Sequence, residues 1–136
     1  TGMAEQSGLG FGPDEDPFKV VRGGFYRRWM QMLPDLEELT GVVATLRGTT
    51  EDQWVPAWRA AGRRHEEAGD RLEAAGRHEE ARAEHLLAKT FYAIGRFPGG
   101  TTPLKAEVGA DCARAYRKAC AHLDPPMEVV DIPCDG

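Results

Sequence analysis

Apolar residues recur at helical spacing along most of this chain. Proline and glycine interrupt the pattern, as at Pro34 and Gly76, because proline disrupts a helix interior and glycine commonly follows a helix end. The predicted helices cover approximately residues 18–33, 35–46, 50–75, 79–97 and 103–123. The connection before residue 79 is so short that it predicts an antiparallel helix pair. We therefore expect a mainly α fold of antiparallel helical hairpins.

The periodicity changes after Pro125 and Pro126. Residues 128–133 read as a β-strand, and Asp135-Gly136 is a hairpin-turn signal. A lone strand has no partner among the predicted helices. It is either a tail that pairs with nothing or the first strand of a sheet in a larger protein, and we favour the second interpretation. The predicted organisation is given by the ranges 1–16 (flexible N-terminal arm), 17–124 (helical domain) and 125–136 (linker and first strand).

Composition narrows the classes of function. The 136 residues suffice for one domain, and 17 basic against 22 acidic side chains give a formal charge of −5, which argues against general nucleic-acid binding. No apolar run approaches the roughly 20 residues of a membrane span, and no signal peptide is recognised. The 3 cysteines are odd in number and lie near the C-terminus, so we expect no disulfide framework and a cytoplasmic location.

Candidate chemistry is sparse. No nucleophile elbow, phosphate-binding loop or dinucleotide-binding turn occurs, so we expect no complete catalytic centre in this chain and no cofactor. His78 and His85 would lie about 10 Å apart on one helix, whereas zinc helices present ligands one turn apart. No metal site is therefore predicted. Cys112 and Cys120 are interpreted as small core residues.

Several other side chains allow two interpretations. His65 and His85 fall on apolar stripes, where a buried hydrogen-bonded histidine is the simpler interpretation and pocket lining is the alternative. The clusters 63–67 and 77–80, rich in arginine and glutamate, are interpreted as solvated faces with helix-spaced ion pairs. An aromatic group is either core or the roof of an apolar pocket. Its members are Trp54, Trp58, Phe91 and Tyr92.

The second half of the chain carries motifs in a characteristic order. These are Trp54-x-x-x-Trp58, Ala75-Gly76-Arg77, the aromatic helix 86–92, Tyr116-Arg117-Lys118-Ala119, and the helix end, paired prolines, strand and turn of 123–136. In this order they resemble the N-terminal cap region of one branch of α/β-hydrolases, typified by 2,6-dihydroxypseudooxynicotine hydrolase. The resemblance covers residues 54–136, and the loop 98–102 departs from it.

The resemblance implies a helical cap over a serine-type hydrolase core that acts on a small organic ester or ketone. The Ser-Asp-His triad would lie beyond Gly136, so no catalytic residue is assigned to this chain. The partners it implies are the hydrolase core domain and a small-molecule substrate, and a homodimer is left open. Candidate residues for lining the substrate pocket are Trp54, Trp58, His85, Phe91 and Tyr92. The competing interpretation is a stand-alone helical interaction module, similar to a tetratricopeptide hairpin, without enzymatic activity.

Overall fold

Helices account for most of the residues that the computed structural model describes, namely 25–46, 48, 50–97 and 102–134. These ranges contain α1 (Phe25–Met32), α2 (Leu36–Thr45), α3 (Glu51–Ala74), α4 (His78–Gly95) and α5 (Pro103–Ala119). The prediction of a mainly α fold is confirmed. The predicted arm, residues 1–16, lies outside the described ranges. None of the described helices is long and apolar enough to cross a membrane.

A tight turn joins α3 to α4. Gly76 adopts a positive φ of 77°, a conformation that glycine reaches without steric cost. The amide of Arg77 donates to the carbonyl of Leu72 at 2.9 Å, and the amide of Gly76 donates to the carbonyl of Glu73 at 3.0 Å. This pattern is a Schellman motif, which ends a helix by pairing its last carbonyls. It turns the chain back so that α4 packs along α3.

The remaining helices pack on this hairpin. Helix α5 lies mainly against α4 and also touches α3. Its first turn is fixed by the Thr102 side chain, which accepts a hydrogen bond from the amide of Lys105 at 3.2 Å, and by Pro103 at the first position. Helix α2 is capped in the same way by Asp35, which accepts from the amides of Glu37 and Glu38 at 3.0 and 3.2 Å.

The hydrophobic core is centred on indole rings near the start of α3. Trp29 of α1 lies 5.9 Å from Trp54 and 5.6 Å from Trp58, measured between ring centroids. The indole nitrogen of Trp54 donates to the carbonyl of Ile94 at 3.1 Å, a buried hydrogen bond that ties the start of α3 to the end of α4. Burial of these large rings contributes a major part of the apolar stabilisation.

Helix α3 begins earlier than proline chemistry suggests. The helix starts at Glu51 and passes through Pro56, although proline removes a backbone donor from a helix interior. Thr50 is the N-cap, but its hydroxyl bonds to the Gln53 side chain at 2.7 Å instead of to a helix amide. Thr50 and Gln53 stand at the positions of a capping box, but its reciprocal bonds to the backbone are not formed.

The predicted strand over 128–133 is not confirmed. The segment from Asp124 to Cys134 contains neither helix nor strand, and Val129, Val130 and Ile132 are 58%, 68% and 79% exposed. A strand is stabilised by hydrogen bonds to a neighbouring strand. Every regular element in the described ranges is a helix, so this segment finds no such neighbour among them.

Candidate functional site

The candidate pocket residues meet at the interface of α3 and α4. Each is at most 2% exposed, which places all of them inside the core. The rings of Trp54 and Trp58 are 5.4 Å apart, and Trp58 stacks on Phe91 at 6.2 Å. In the described residues these side chains therefore fill space with one another. A substrate would reach them only if the helices moved apart, and their role in lining a pocket stays a prediction.

Two glycines on α3 make this close approach possible. A Cβ atom at Gly62 would lie 2.6 Å from the Tyr92 ring, and one at Gly69 would lie 2.5 Å from the His85 ring. The two glycines and the two rings are each 7 residues apart in the sequence. That spacing returns to nearly the same helix face, so one ring of α4 covers each glycine of α3.

His85 is buried with an incomplete set of hydrogen bonds. Its Nε2 atom lies 3.1 Å from the Asp70 carboxylate, whereas its Nδ1 atom is buried and finds no hydrogen-bond partner among the described residues. The indole nitrogen of Trp58 is in the same situation. The interpretation of His85 as a buried, hydrogen-bonded histidine is therefore correct for one of its two nitrogens.

Glu66 is the centre of an ion network that joins α3, α4 and α5. Although it is only 5% exposed, its carboxylate accepts hydrogen bonds from three side chains. The Tyr92 hydroxyl donates at 2.7 Å, the Arg114 guanidinium donates from two nitrogens at 2.7 Å each, and the Lys118 ammonium donates at 2.9 Å. Bidentate and charge-assisted bonds of this kind are among the strongest in proteins.

The network shifts the ionisation of its members. Hydrogen bonds from the Arg114 guanidinium, with smaller contributions from Lys118 and Tyr92, lower the pKa of Glu66 to about 2 although burial acts in the opposite direction. Burial, followed by the hydrogen bond to Glu66, raises the pKa of Tyr92. The carboxylate is therefore ionised, and the phenol protonated, throughout the neutral range. These states suit a structural network and do not suit a general acid or base at neutral pH.

His65 connects α2 with α4 through two carboxylates. Its Nδ1 atom lies 2.6 Å from Glu84 and its Nε2 atom lies 2.7 Å from Glu38. Its ring also stacks on Phe91 at 5.4 Å and 7°. Because carboxylates only accept, both hydrogen bonds form together only when both ring nitrogens carry protons. His65 is thus a structural link between helices.

The surface interpretation of cluster 63–67 is wrong for its central members. Glu66 and His65 do not form helix-spaced pairs with their sequence neighbours. They bond to residues on other helices, which lie 19 to 52 positions away in the sequence. Periodicity alone cannot distinguish a carboxylate that faces solvent from one that meets an arginine of a distant helix.

A small cleft of about 100 Å³ lies beside the α3–α4 turn and the end of α5. Glu73, His78 and His122 converge there. The Glu73 Oε1 atom lies 3.1 Å from His78 Nδ1 and 2.5 Å from His122 Nε2, and the two imidazole centroids are 4.0 Å apart. Hydrogen bonding from His122, and then from His78, lowers the pKa of Glu73. His78 and His85, which helix spacing places about 10 Å apart, have different partners: His78 contacts Glu73 and His85 contacts Asp70.

Cys112 lies in α5, and Cys120 directly follows its last residue. Burial raises the pKa of the Cys112 thiol, which donates to the Lys89 carbonyl at 3.5 Å, so the nucleophilic thiolate is disfavoured. Cys120 is buried, in agreement with its interpretation as a core residue. Neither thiol is therefore a candidate nucleophile.

Comparison with known proteins yields no relative. No protein-family model, no curated protein and no solved structure matches this chain.

Proposed function

We propose that this helical domain is the cap of a serine-type α/β-hydrolase that acts on a small organic ester or ketone. The observation that carries the proposal is the exposed segment 128–133. Val129, Val130 and Ile132 offer apolar side chains to solvent, and no described strand pairs with their backbone. A segment of this composition is stabilised when it joins a sheet. The ordered motifs of residues 54–136 resemble a hydrolase cap, and this resemblance suggests that the sheet belongs to an α/β-hydrolase core.

In this proposal the core carries out catalysis and the cap covers the substrate. The core contributes the nucleophile, its histidine base and the oxyanion hole, all beyond Gly136. The helical domain covers the substrate and excludes water, which strengthens electrostatic interactions at the reacting centre. The tightly packed α3–α4 hairpin gives the cap a rigid body. The buried aromatic group stabilises that body, and it would line the substrate pocket only if the helices moved apart.

The proposal assigns no catalytic role to Glu66, His65 or Cys112 of the described residues. Glu66 is held in ion pairs, His65 is hydrogen-bonded to two carboxylates, and the Cys112 thiol is disfavoured as a thiolate. We expect this chain of 136 residues to hydrolyse p-nitrophenyl acetate no faster than a Cys112→Ser, His85→Gln double variant or than buffer. Turnover by the unaltered chain that the double variant loses would contradict the proposed division.

The coding sequence after Gly136 provides the direct test. An open frame that continues into strands and contains a Gly-x-Ser-x-Gly elbow supports the proposal. Replacing the elbow serine by alanine in that longer protein should abolish ester or ketone hydrolysis without changing its thermal unfolding. A stop codon directly after Gly136 would overturn the proposal.

A second candidate is a stand-alone helical interaction module. It is favoured by the exposed apolar side chains Met32 and Leu36, which lie on either side of the α1–α2 connection. A second copy of the chain is the simplest partner for such a surface. Sedimentation equilibrium should then show a dimer that a Leu36→Asp variant dissociates, whereas a monomer at all concentrations tested would contradict this candidate.

A further inference from the structure

The cleft beside the α3–α4 turn collects donors from three separate segments of the chain. Glu73 lies in the last turn of α3, His78 is the first residue of α4, and His122 follows the end of α5. The Schellman turn at Gly76 places the first two side by side. The third arrives because α5 packs along the same hairpin. This convergence involves tertiary structure and does not follow from helix spacing.

The three side chains have the chemistry of a transition-metal site. Two imidazole nitrogens and a carboxylate oxygen are a donor set that zinc and related dications prefer. One potential ligand atom from each residue lies within 4.8 Å of the others. Ligands held at about 2.0–2.1 Å around a tetrahedral ion are roughly 3.4 Å apart. The side chains are 36%, 48% and 52% exposed, so small rotations can close this difference.

We propose that Glu73, His78 and His122 bind a divalent transition-metal ion of the zinc type. The ion would replace the protons that now link the carboxylate to the two imidazoles. Three protein ligands leave a coordination position for water. Bound metal would join the α3–α4 turn to the end of α5, and thereby fix the point at which the exposed segment 124–134 leaves the helices. This site is independent of the proposed hydrolase function.

Charged side chains beside the cleft affect the affinity for a metal cation but do not exclude its binding. Arg82 and Lys118 also line the cleft, and both are cationic. The Lys118 ammonium is already bonded to the carboxylates of Glu66 and Asp70 at 2.9 Å. Glu79 lies on the same cleft and offsets the charge of Arg82. The cleft therefore presents carboxylates as well as cationic side chains to a metal ion.

Isothermal titration of the full chain with ZnCl₂, in a buffer that does not chelate metals and without an affinity tag, tests the proposal. We expect a single saturable Zn²⁺ site per chain. His78→Gln and His122→Gln should each weaken binding by more than about tenfold. Glu80→Gln, an exposed change on the same helix, and Cys134→Ser, which removes an exposed competing thiol, should leave the affinity unchanged.

Two further measurements distinguish this site from adventitious binding. Zn²⁺ should raise the unfolding temperature of the unaltered chain and not that of the His122→Gln variant. Co²⁺ should give a visible absorption spectrum that disappears in both histidine variants. The proposal is overturned by a lack of saturable binding, by equal affinity in the two histidine variants and the unaltered chain, or by binding that Cys134→Ser abolishes.

Discussion

The Glu66 carboxylate is bonded to side chains of two other helices at once. Its charge is buried, yet the Arg114 fork, the Lys118 ammonium and the Tyr92 hydroxyl satisfy its oxygens. Burying a carboxylate is costly in itself, so the network need not add much net stability relative to an apolar core. Removing one member, however, leaves the others without their partner.

We predict that Glu66→Gln lowers the free energy of unfolding by about 1–3 kcal/mol. The amide keeps the shape of the side chain but removes the charge and one of the oxygens that accept from Arg114. The adjacent Glu67→Gln is the matched control, because Glu67 is exposed and should change stability by less than about 0.5 kcal/mol. Urea unfolding measures both. Equal effects of the two variants would contradict the assigned role of Glu66.

The same carboxylate predicts a pH dependence. The pKa of Glu66 is lowered from its ordinary 4.5 to about 2 in the folded protein, so the folded state favours the ionised form. The stabilisation is complete above pH 4.5 and is lost progressively as the pH falls toward 2. The stability difference between the unaltered chain and Glu66→Gln should therefore shrink over this interval. A difference that stays constant from pH 6 to about 2.5 would exclude this linkage.

At the scale of elements, the α3–α4 interface depends on glycines that lack a Cβ. Gly62 and Gly69 admit the rings of Tyr92 and His85 at distances that no Cβ atom could tolerate. Each glycine weakens the helix itself by about 1 kcal/mol relative to alanine. Close packing of a ring against the backbone compensates for this weakness.

We predict opposite effects for two glycine-to-alanine substitutions. Gly62→Ala should destabilise the protein by about 1–3 kcal/mol, because the new methyl group would displace the Tyr92 ring. Gly41→Ala in α2 should stabilise it by about 0.5–1 kcal/mol, because a Cβ there meets nothing within 4 Å. Thermal unfolding of the two variants gives the comparison. If both stabilise, the helices are less closely packed than the structure indicates.

The helices were predictable because their signals are local. Apolar spacing, the glycine at position 76 and the proline at position 103 lie within or beside the segments that they define. The strand over 128–133 was a local prediction as well, but a strand also needs a neighbour to bond with. The described residues contain no such neighbour, so the segment rich in β-branched residues has no regular structure here.

The aromatic group and the cleft at Glu73 were less predictable than the helices, because their contacts join residues that are distant in sequence. The residues of the aromatic group are buried together, but the sequence could not distinguish a closed core from an open pocket. His78 was paired with His85 on its own helix, whereas its ring lies beside His122, 44 positions away. Only the packing of α5 against the hairpin brings these two residues together. The sequence signal for this cluster is the occurrence of glutamate and histidine near helix ends, and that signal is weak.

At the scale of the whole molecule, the described residues divide into a packed helical body and an exposed segment. The body is held by the indole cluster at one end of the α3–α4 hairpin and by the ion network farther along it. The segment from Asp124 to Cys134 adds apolar surface that faces water. Its side chains contribute little to the helical body, and this difference can be measured.

We predict that a chain ending at Leu123 unfolds with a free energy within about 0.5 kcal/mol of the full chain, since only Met127 in the segment 124–134 is even partly buried. A chain ending at Glu107 should lose cooperative unfolding, because it lacks the buried residues Val108 and Ala115. Urea titrations followed by circular dichroism compare the three lengths. If the chain ending at Leu123 is less stable by more than about 2 kcal/mol, the segment packs against the helices. It would then not be free to join a sheet, and the proposed hydrolase cap would lose the observation that carries it.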